Sequence, residues 1–206
     1  MTSMFRFDQA ELTGKLDQLL PSLRVTFAAS CAERLLPAYA TFSYLARQGE
    51  PETIKRILAR LWEAIAGDSM TGDEMQTNID ACMALIPHGD EDISLDIETA
   101  YAEDAATAVV YALTCLQNGS SQEAMWAAQC ASEAIGYFAT HREKIDVKPG
   151  AASRVYAHPL IQAELARQCR DIDELLGIDD EDVRQVAARF CDRAKAESKV
   201  FFGVPS

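Results

Sequence analysis

At residues 31–45 the chain reads CAERLLPAYATFSYL, an amphipathic helical pattern that carries an acid, a base and a proline. When successive residues are placed about 100° apart, Arg34 lies near the centre of the apolar stripe, and Glu33 falls on its flank, within reach of solvent or a neighbouring base. Pro37 lacks the N–H group of a helical hydrogen bond, so we expect it to end the helix or to kink it. The other members of the stripe are Leu23, Phe27, Cys31, Ala38 and Leu45.

Three further helical patterns place a polar side chain among apolar neighbours. Asp104 is centred in a helix predicted at about 95–117, Glu133 in one at 121–141, and Gln168 in one at 158–176. A bare charge costs several kcal/mol to bury, so these residues need partners. The simplest arrangement pairs Arg34 with Asp104 or, as the second choice, with Glu133.

This polar group has two interpretations. In the first, Arg34, Asp104, Glu133 and Gln168 form a buried network that fixes the register of the helices; such structural networks are the commoner outcome, and we favour this interpretation. In the second, the same residues converge on a pocket that binds a small ligand or a metal. Carboxylate metal sites in helical bundles usually carry a Glu-x-x-His pair. The chain contains no such pair, so we expect no metal and no other cofactor.

The dominant hydrophobic period along the chain is helical. The clearest example is PETIKRILARLWEAIAG at 51–67, with Pro51 in the first turn and Gly67 at the stop. No segment alternates convincingly with the period of two that a half-buried strand shows. We therefore predict an all-α protein, a bundle of about eight helices that forms a single domain over residues 1–206. Its C-terminal part, residues 158–198, could form a helical pair after a loop at 144–157.

The charge balance restricts the partners of the protein. Thirty-two Asp and Glu residues against nineteen Lys and Arg residues give a net charge of −13. Such a surface repels phosphate backbones, so we expect no nucleic-acid partner. The longest apolar run, at 105–116, is shorter than the roughly 20 residues that a membrane span needs, and Asp8 and Glu11 interrupt the N-terminal region where a signal peptide is apolar. We expect a soluble, cytoplasmic protein with no membrane partner.

The chain carries six scattered cysteines and no Cys-x-x-Cys pair. Most of them share a helical phase with apolar neighbours, as buried free thiols do, so we expect all six to be reduced. Gly-x-Ser-x-Gly, His-Glu-x-x-His and a glycine-rich phosphate loop are all absent from the sequence. We therefore assign no catalytic residue and favour a non-enzyme.

Three segments together carry a family resemblance: FAASCAERLLPAYATF at 27–42, ETAYAEDAATAVVYAL at 98–113, and HPLIQAELARQ at 158–168. They resemble the bacterial YjaG family, which is catalogued as domain of unknown function 416. The resemblance implies an all-helical cytoplasmic protein of about this length with no established activity. Residues of the family pattern that recur here are Glu33, Arg34, Pro37, Asp104, Pro159, Glu164 and Gln168.

Three functions from different classes fit the sequence. The leading hypothesis is a non-enzymatic interaction or scaffold protein that forms a homodimer, since broad apolar helical faces are often covered by a second copy. The second is an immunity-type inhibitor whose acidic surface covers a basic toxin or nuclease. The third is a ligand-binding protein or hydrolase that uses a polar cluster. The candidate residues of that cluster are Glu33, Arg34, Asp104, Glu133, Glu164 and Gln168.

Overall fold

The computed structural model describes residues 4–87, 96–142, 155–178 and 182–199, and within these residues it contains eight α-helices and no strand. This confirms the predicted all-α class and the predicted number of helices. The loop predicted at 144–157 lies outside the described residues up to residue 154, and the single domain over 1–206 stays a prediction. In chain order the helices are α1 (Gln9–Leu16), α2 (Pro21–Ala46), α3 (Pro51–Ile65), α4 (Gly72–Ala84), α5 (Asp96–Asn118), α6 (Ser121–Arg142), α7 (Pro159–Leu176) and α8 (Val183–Ser198).

Helix α2 is the central element of the fold. It packs against α3, α5, α6, α7 and α8, and every residue from Val25 to Leu35 is buried. A helix that is buried all round has no polar face, so the flank assigned to Glu33 from the helical pattern does not exist in the folded protein. Glu33 is 5 % exposed, which corrects the prediction that it lies near solvent.

Small side chains let α2, α5 and α6 pack closely. α5 buries five alanines and α6 buries six, so the backbones meet with little side-chain volume between them. Larger side chains such as Phe27, Val109 and Leu113 fill the remaining space. The alanine-rich middle of the sequence is therefore the part of the chain that wraps the central helix.

Helix α2 continues through its internal proline. It runs from Pro21 to Ala46, so the prediction that Pro37 ends the helix is wrong; the alternative, a kink at Pro37, stays a prediction. The side chains of Leu35, Tyr39 and Phe42 are buried on either side of the proline. Each contributes about 1.5–3 kcal/mol by burial, which together exceeds the cost of about 3 kcal/mol for a proline inside a helix.

The two C-terminal helices pack on the central helix and also contact helices of the chain's N-terminal half. α7 contacts α1, α2 and α6, whereas α8 contacts α2 and α3. His158 caps the start of α7 because its Nδ1 accepts a hydrogen bond from the backbone N–H of Leu160. The charged faces of α7 and α8 meet above Arg34. None of the described helices combines the length and the apolar character needed to cross a membrane.

Candidate functional site

The buried guanidinium of Arg34 is held by two carboxylates of α7. Its Nε and Nη2 donate to Glu164 at 3.1 and 2.8 Å in a bidentate pair, and its Nη1 donates to Asp171 Oδ2 at 2.9 Å. Arg34 is 1 % exposed, and both carboxylates are buried as well. The prediction of a buried, paired Arg34 is confirmed. The predicted partners, Asp104 and Glu133, are wrong, because α7 and not α5 or α6 faces this part of α2.

A second layer of arginines neutralises the two carboxylates. Arg170 and Arg193 donate to Asp171 Oδ1 at 2.7 and 3.0 Å, so this carboxylate is shared by three guanidinium groups. Arg193 also pairs with Glu174 and stacks 4.2 Å above the ring of Phe190 on its own helix. These bonds tie α2, α7 and α8 together through charges rather than through apolar packing alone.

Gln168 joins the same network and extends it to α6. Its amide nitrogen donates to Glu164 Oε1 and to the carbonyl oxygen of Ala128, both at 3.0 Å, and to Ser132 Oγ at 3.2 Å. Of the predicted site residues, the structure therefore brings together Arg34, Glu164 and Gln168. Asp171 was missed, although its spacing from Glu164 and Gln168 places it on the same face of the helix.

The electrostatics of the cluster keep Arg34 charged and the neighbouring thiol neutral. Burial alone lowers the pKa of a guanidinium, but the charges of Glu164 and Asp171 outweigh it and raise the pKa of Arg34. Burial also raises the pKa of the adjacent Cys31 thiol far above its ordinary value. With its donors taken up by protein acceptors and no exposed surface, the Arg34 cluster is suited to fixing helix positions and leaves no room for a substrate.

Asp104 and Glu133 form a separate acidic pair on the outer side of α5 and α6. Asp104 is half-buried, and its Oδ2 has no hydrogen-bond partner among the described residues. Burial, together with the charges of Glu133 and Glu103, raises the pKa of Asp104 to about 8. Within the described part of the chain, no group of three or more His, Cys, Asp or Glu side chains is placed to hold a metal ion.

Aromatic side chains surround this acidic pair. The rings of Tyr111 and Trp126 are 5.3 Å apart, and Trp126 and Tyr137 are 37 % and 46 % exposed. Burial raises the pKa of the Tyr111 and Tyr137 phenols, and the charges of Asp104 and Glu133 raise it further. We call this surface, formed by these five residues, the α5–α6 face.

An open groove adjoins the α5–α6 face between α1, α6 and α7. It encloses about 580 Å³ and is lined largely by apolar side chains such as Phe7, Ile161 and Leu165. Glu133 stands at its edge and accepts a hydrogen bond of 2.8 Å from Gln129. The sequence offered little sign of the groove, because its lining positions look like ordinary edges of apolar stripes.

Glu33 belongs neither to the Arg34 cluster nor to the Asp104–Glu133 pair. Its Oε2 accepts a hydrogen bond of 3.0 Å from the indole N–H of Trp62 on α3. Burial raises the pKa of Glu33, while the Trp62 hydrogen bond and the charges of Lys195 and Lys55 oppose that shift. The six candidate residues from the sequence therefore do not form one site but three separate groups.

Comparisons with known proteins give a family and a fold. A family model described as a protein of unknown function (DUF416) matches residues 11–193. The crystal structure of a DUF416 family protein from Shewanella baltica OS155 is similar, with a TM-score of 0.70 at 19 % sequence identity, over 88 % of this chain and 93 % of that chain. At this identity the likeness shows the fold alone. No curated protein matches the chain.

Proposed function

The chain belongs to the DUF416 family, and from its own geometry we propose that it is a cytoplasmic, non-enzymatic interaction protein that forms a homodimer through the α5–α6 face. The observation that carries the proposal is the Tyr111–Trp126 aromatic pair, in which Trp126 is exposed and Tyr111 is half-buried, beside a carboxyl oxygen of Asp104 that has no partner among the described residues. Aromatic residues are enriched at protein interfaces and supply most of their strong contacts.

The composition of the α5–α6 face favours a second copy of the chain. Two of the five residues of the α5–α6 face, Asp104 and Glu133, are acidic, in a protein with a net charge of −13. Asp104 is largely neutral at pH 7 because its pKa is raised to about 8. Two such faces can meet across a twofold axis with less repulsion than other parts of this acidic surface.

Other exposed apolar side chains do not include aromatic residues on two adjacent helices. Tyr44 and Leu45 are consecutive near the end of α2, and Met83 lies on α4; scattered exposed residues of this kind are ordinary on monomeric proteins. By contrast, three aromatic rings of the α5–α6 face are grouped on two adjacent helices. The free cysteines of the chain support a reducing compartment such as the cytoplasm.

The oligomeric state and its dependence on one residue test the proposal. We expect light scattering and sedimentation to show a dimer at micromolar and higher concentrations. Trp126→Ala should weaken the dimer by about 30-fold or more, the loss typical of an aromatic hot spot. Tyr44→Ala removes another exposed aromatic ring and should leave the dimer unchanged. A wild-type monomer at submillimolar concentration, or equal effects of the two substitutions, would overturn the proposal.

A further inference from the structure

The open groove between α1, α6 and α7 is held in shape by hydrogen bonds among its walls. Gln9 of α1 donates to Gln129 of α6 at 2.9 Å. Gln162 of α7 accepts from the backbone N–H of Phe5 and donates to the carbonyl oxygens of Phe5 and Tyr156, each at 2.8 Å. Because these bonds fix the walls in advance, an occupant can bind without the cost of rearranging them.

The surface of the groove is aromatic and aliphatic. Tyr137 of α6 and Tyr156, shortly before α7, both line the groove and are exposed. Phe7, Ile161 and Leu165 add further apolar surface. The volume of about 580 Å³ lies within the roughly 300–1,000 Å³ of typical binding pockets, which are also concave and mostly apolar.

Gly136 lines the groove at a position where the fold of the chain itself does not need a glycine. It lies inside α6, and its φ angle is not positive. Beyond its own helix backbone, a Cβ atom at this position would meet only Ile161 Cδ1, at an ordinary contact distance of 4.0 Å. A glycine inside a helix lowers stability relative to alanine, but it lets another backbone or a ligand approach closely. The groove therefore offers the backbone of α6 for close contact.

Glu133 alone is charged among the described residues that line the groove. It accepts a hydrogen bond from Gln129, and it forms no ion pair with any Lys, Arg or His that the structure describes. The whole protein carries a net charge of −13. An occupant with a cation opposite Glu133 therefore complements both the groove and the molecule around it.

We propose that the groove binds an amphipathic α-helix of a partner protein, whose apolar face packs on Gly136 and Ile161 while a Lys or Arg on its flank pairs with Glu133. The groove follows α6 from Gln129 to Thr140, which is about 17 Å or three helical turns. An open groove of this length fits a helix laid along it, with apolar anchors three or four positions apart. The inference goes beyond the proposed dimer and does not rest on it, since Gly136 and Ile161 lie outside the α5–α6 face.

The probe is a synthetic peptide of about 14 residues, long enough to form three helical turns. It carries Leu at helical spacing on one face, Lys on both flanks and Ala elsewhere, with blocked ends and a fluorescent label. One control peptide has the same composition in scrambled order, and another has Glu in place of every Lys. Fluorescence anisotropy with the full chain should give a Kd below about 100 μM for the probe. Both controls should bind at least about tenfold more weakly, and equal binding of either one would overturn the proposal.

Gly136→Leu fills the groove without changing its charge and should weaken binding of the probe by about tenfold or more. The variant should melt at the same or a higher temperature than the wild type, because the position has room and Leu forms helices better than Gly. Gly14→Leu is the matched control, since Gly14 is an exposed helical glycine of α1 that does not line the groove. It should bind as the wild type does. Unchanged binding by Gly136→Leu would contradict the proposal.

Glu133→Gln tests the charge of the groove and keeps an oxygen that accepts from Gln129. It should weaken the Lys probe by about three- to fivefold, the size of an exposed ion pair. Glu103→Gln makes the same change of charge on exposed α5 surface and should change the Kd by less than about twofold. Equal effects of the two substitutions would show that the acidic surface as a whole attracts the probe, and the proposed site would then be wrong.

A second copy of the chain is the competing occupant, and the oligomeric state separates it from a partner helix. If Gly136→Leu abolishes a wild-type dimer, the second copy fills the groove and the proposal is wrong. Trp126→Ala should not weaken binding of the probe, because Trp126 does not line the groove. A monomeric wild type that binds the probe would overturn the dimer alone, whereas a dimer that shows no binding at about 1 mM protein would overturn this inference alone.

Discussion

Arg34 is the residue that joins three helices of the bundle. It forms ion pairs from α2 to Glu164 and Asp171 on α7, and Asp171 in turn forms an ion pair with Arg193 on α8. Removing one member of a buried ion pair leaves the other without compensation, which costs far more than the pair itself contributes. Arg34 therefore contributes strongly to the attachment of α7 and α8 to α2.

We expect Arg34→Ala to lower the free energy of unfolding by about 3–5 kcal/mol, because Glu164 and Asp171 would stay buried with a lost partner. Urea denaturation measures the loss. Arg56→Ala removes an exposed arginine of α3 and should change stability by no more than about 0.5 kcal/mol. Arg34→Met combined with Glu164→Leu should cost clearly less than the two single changes added together. A loss below about 1 kcal/mol for Arg34→Ala would contradict the structural role.

Asp104 makes the stability of the protein depend on pH. The folded protein holds its proton up to about pH 8, whereas the unfolded chain releases it near pH 4. Stability from this residue is therefore present at low pH and is lost as the pH rises from about 4 to 8. Asp104→Asn should gain about 1–3 kcal/mol over the wild type at pH 9, and the gain should shrink as the pH is lowered.

Urea denaturation at several pH values measures this gain. Glu103→Gln changes the charge of the exposed neighbour and serves as the control for a general effect of net charge. An Asp104→Asn gain that is the same at pH 5 and pH 9 would show that the side chain does not titrate in the folded protein.

At the scale of the element, the packing of α2 outweighs the tendency of its internal proline to break the helix. Pro37 removes one helical hydrogen bond, yet the helix extends nine residues beyond it to Ala46. The proline also lines an open surface pocket beside Glu33.

Pro37→Ala should raise the free energy of unfolding by about 1–2 kcal/mol. The change restores a helical N–H and removes a penalty of about 3 kcal/mol, while it returns about 1 kcal/mol of chain entropy to the unfolded state. Urea denaturation measures the gain. Pro21→Ala is the matched control, since a proline in the first turn of a helix is favourable. A net loss of stability in Pro37→Ala would show that the proline ring itself packs in the core.

At the scale of the whole molecule, the bundle encloses its cysteines. All six are free, and five are buried while Cys169 is half-buried; their reduced state stays a prediction. Burial raises the pKa of Cys82 and of Cys115 to about 12. The thiolate is the form that reacts with thiol reagents. The fold therefore slows the reaction in two ways, because buried thiols are inaccessible to the reagent and their raised pKa keeps them protonated.

Thiol titration measures this protection. We expect six thiols to react in denaturant without reductant, and no more than one to react rapidly in the folded protein. Cys169→Ser should remove the rapid reaction, whereas Cys82→Ser should leave it unchanged. Four or fewer thiols in denaturant would contradict the reduced state, and several rapid thiols in the folded protein would contradict the packing.

The sequence by itself determined the local features of this protein. Helical periodicity placed α3, α6 and α7 to within a few residues, because a helix closes its own hydrogen bonds over a single turn. The same periodicity identified Arg34 as a buried charge that needs a partner. Each of these inferences depends on residues a few positions apart in the chain.

Only the tertiary structure decided which helices meet. Arg34 finds Glu164 and Asp171 instead of Asp104, because α7 covers this part of α2, while Asp104 lies half-buried elsewhere, beside Glu133. Glu33 is buried because neighbouring helices surround α2 from Val25 to Leu35, which an amphipathic plot of one helix cannot show. Several carboxylates could each have satisfied the charge of Arg34, and the choice among them was made by the shape of the packed helices, chiefly by the small alanine side chains that bring α5 and α6 against α2.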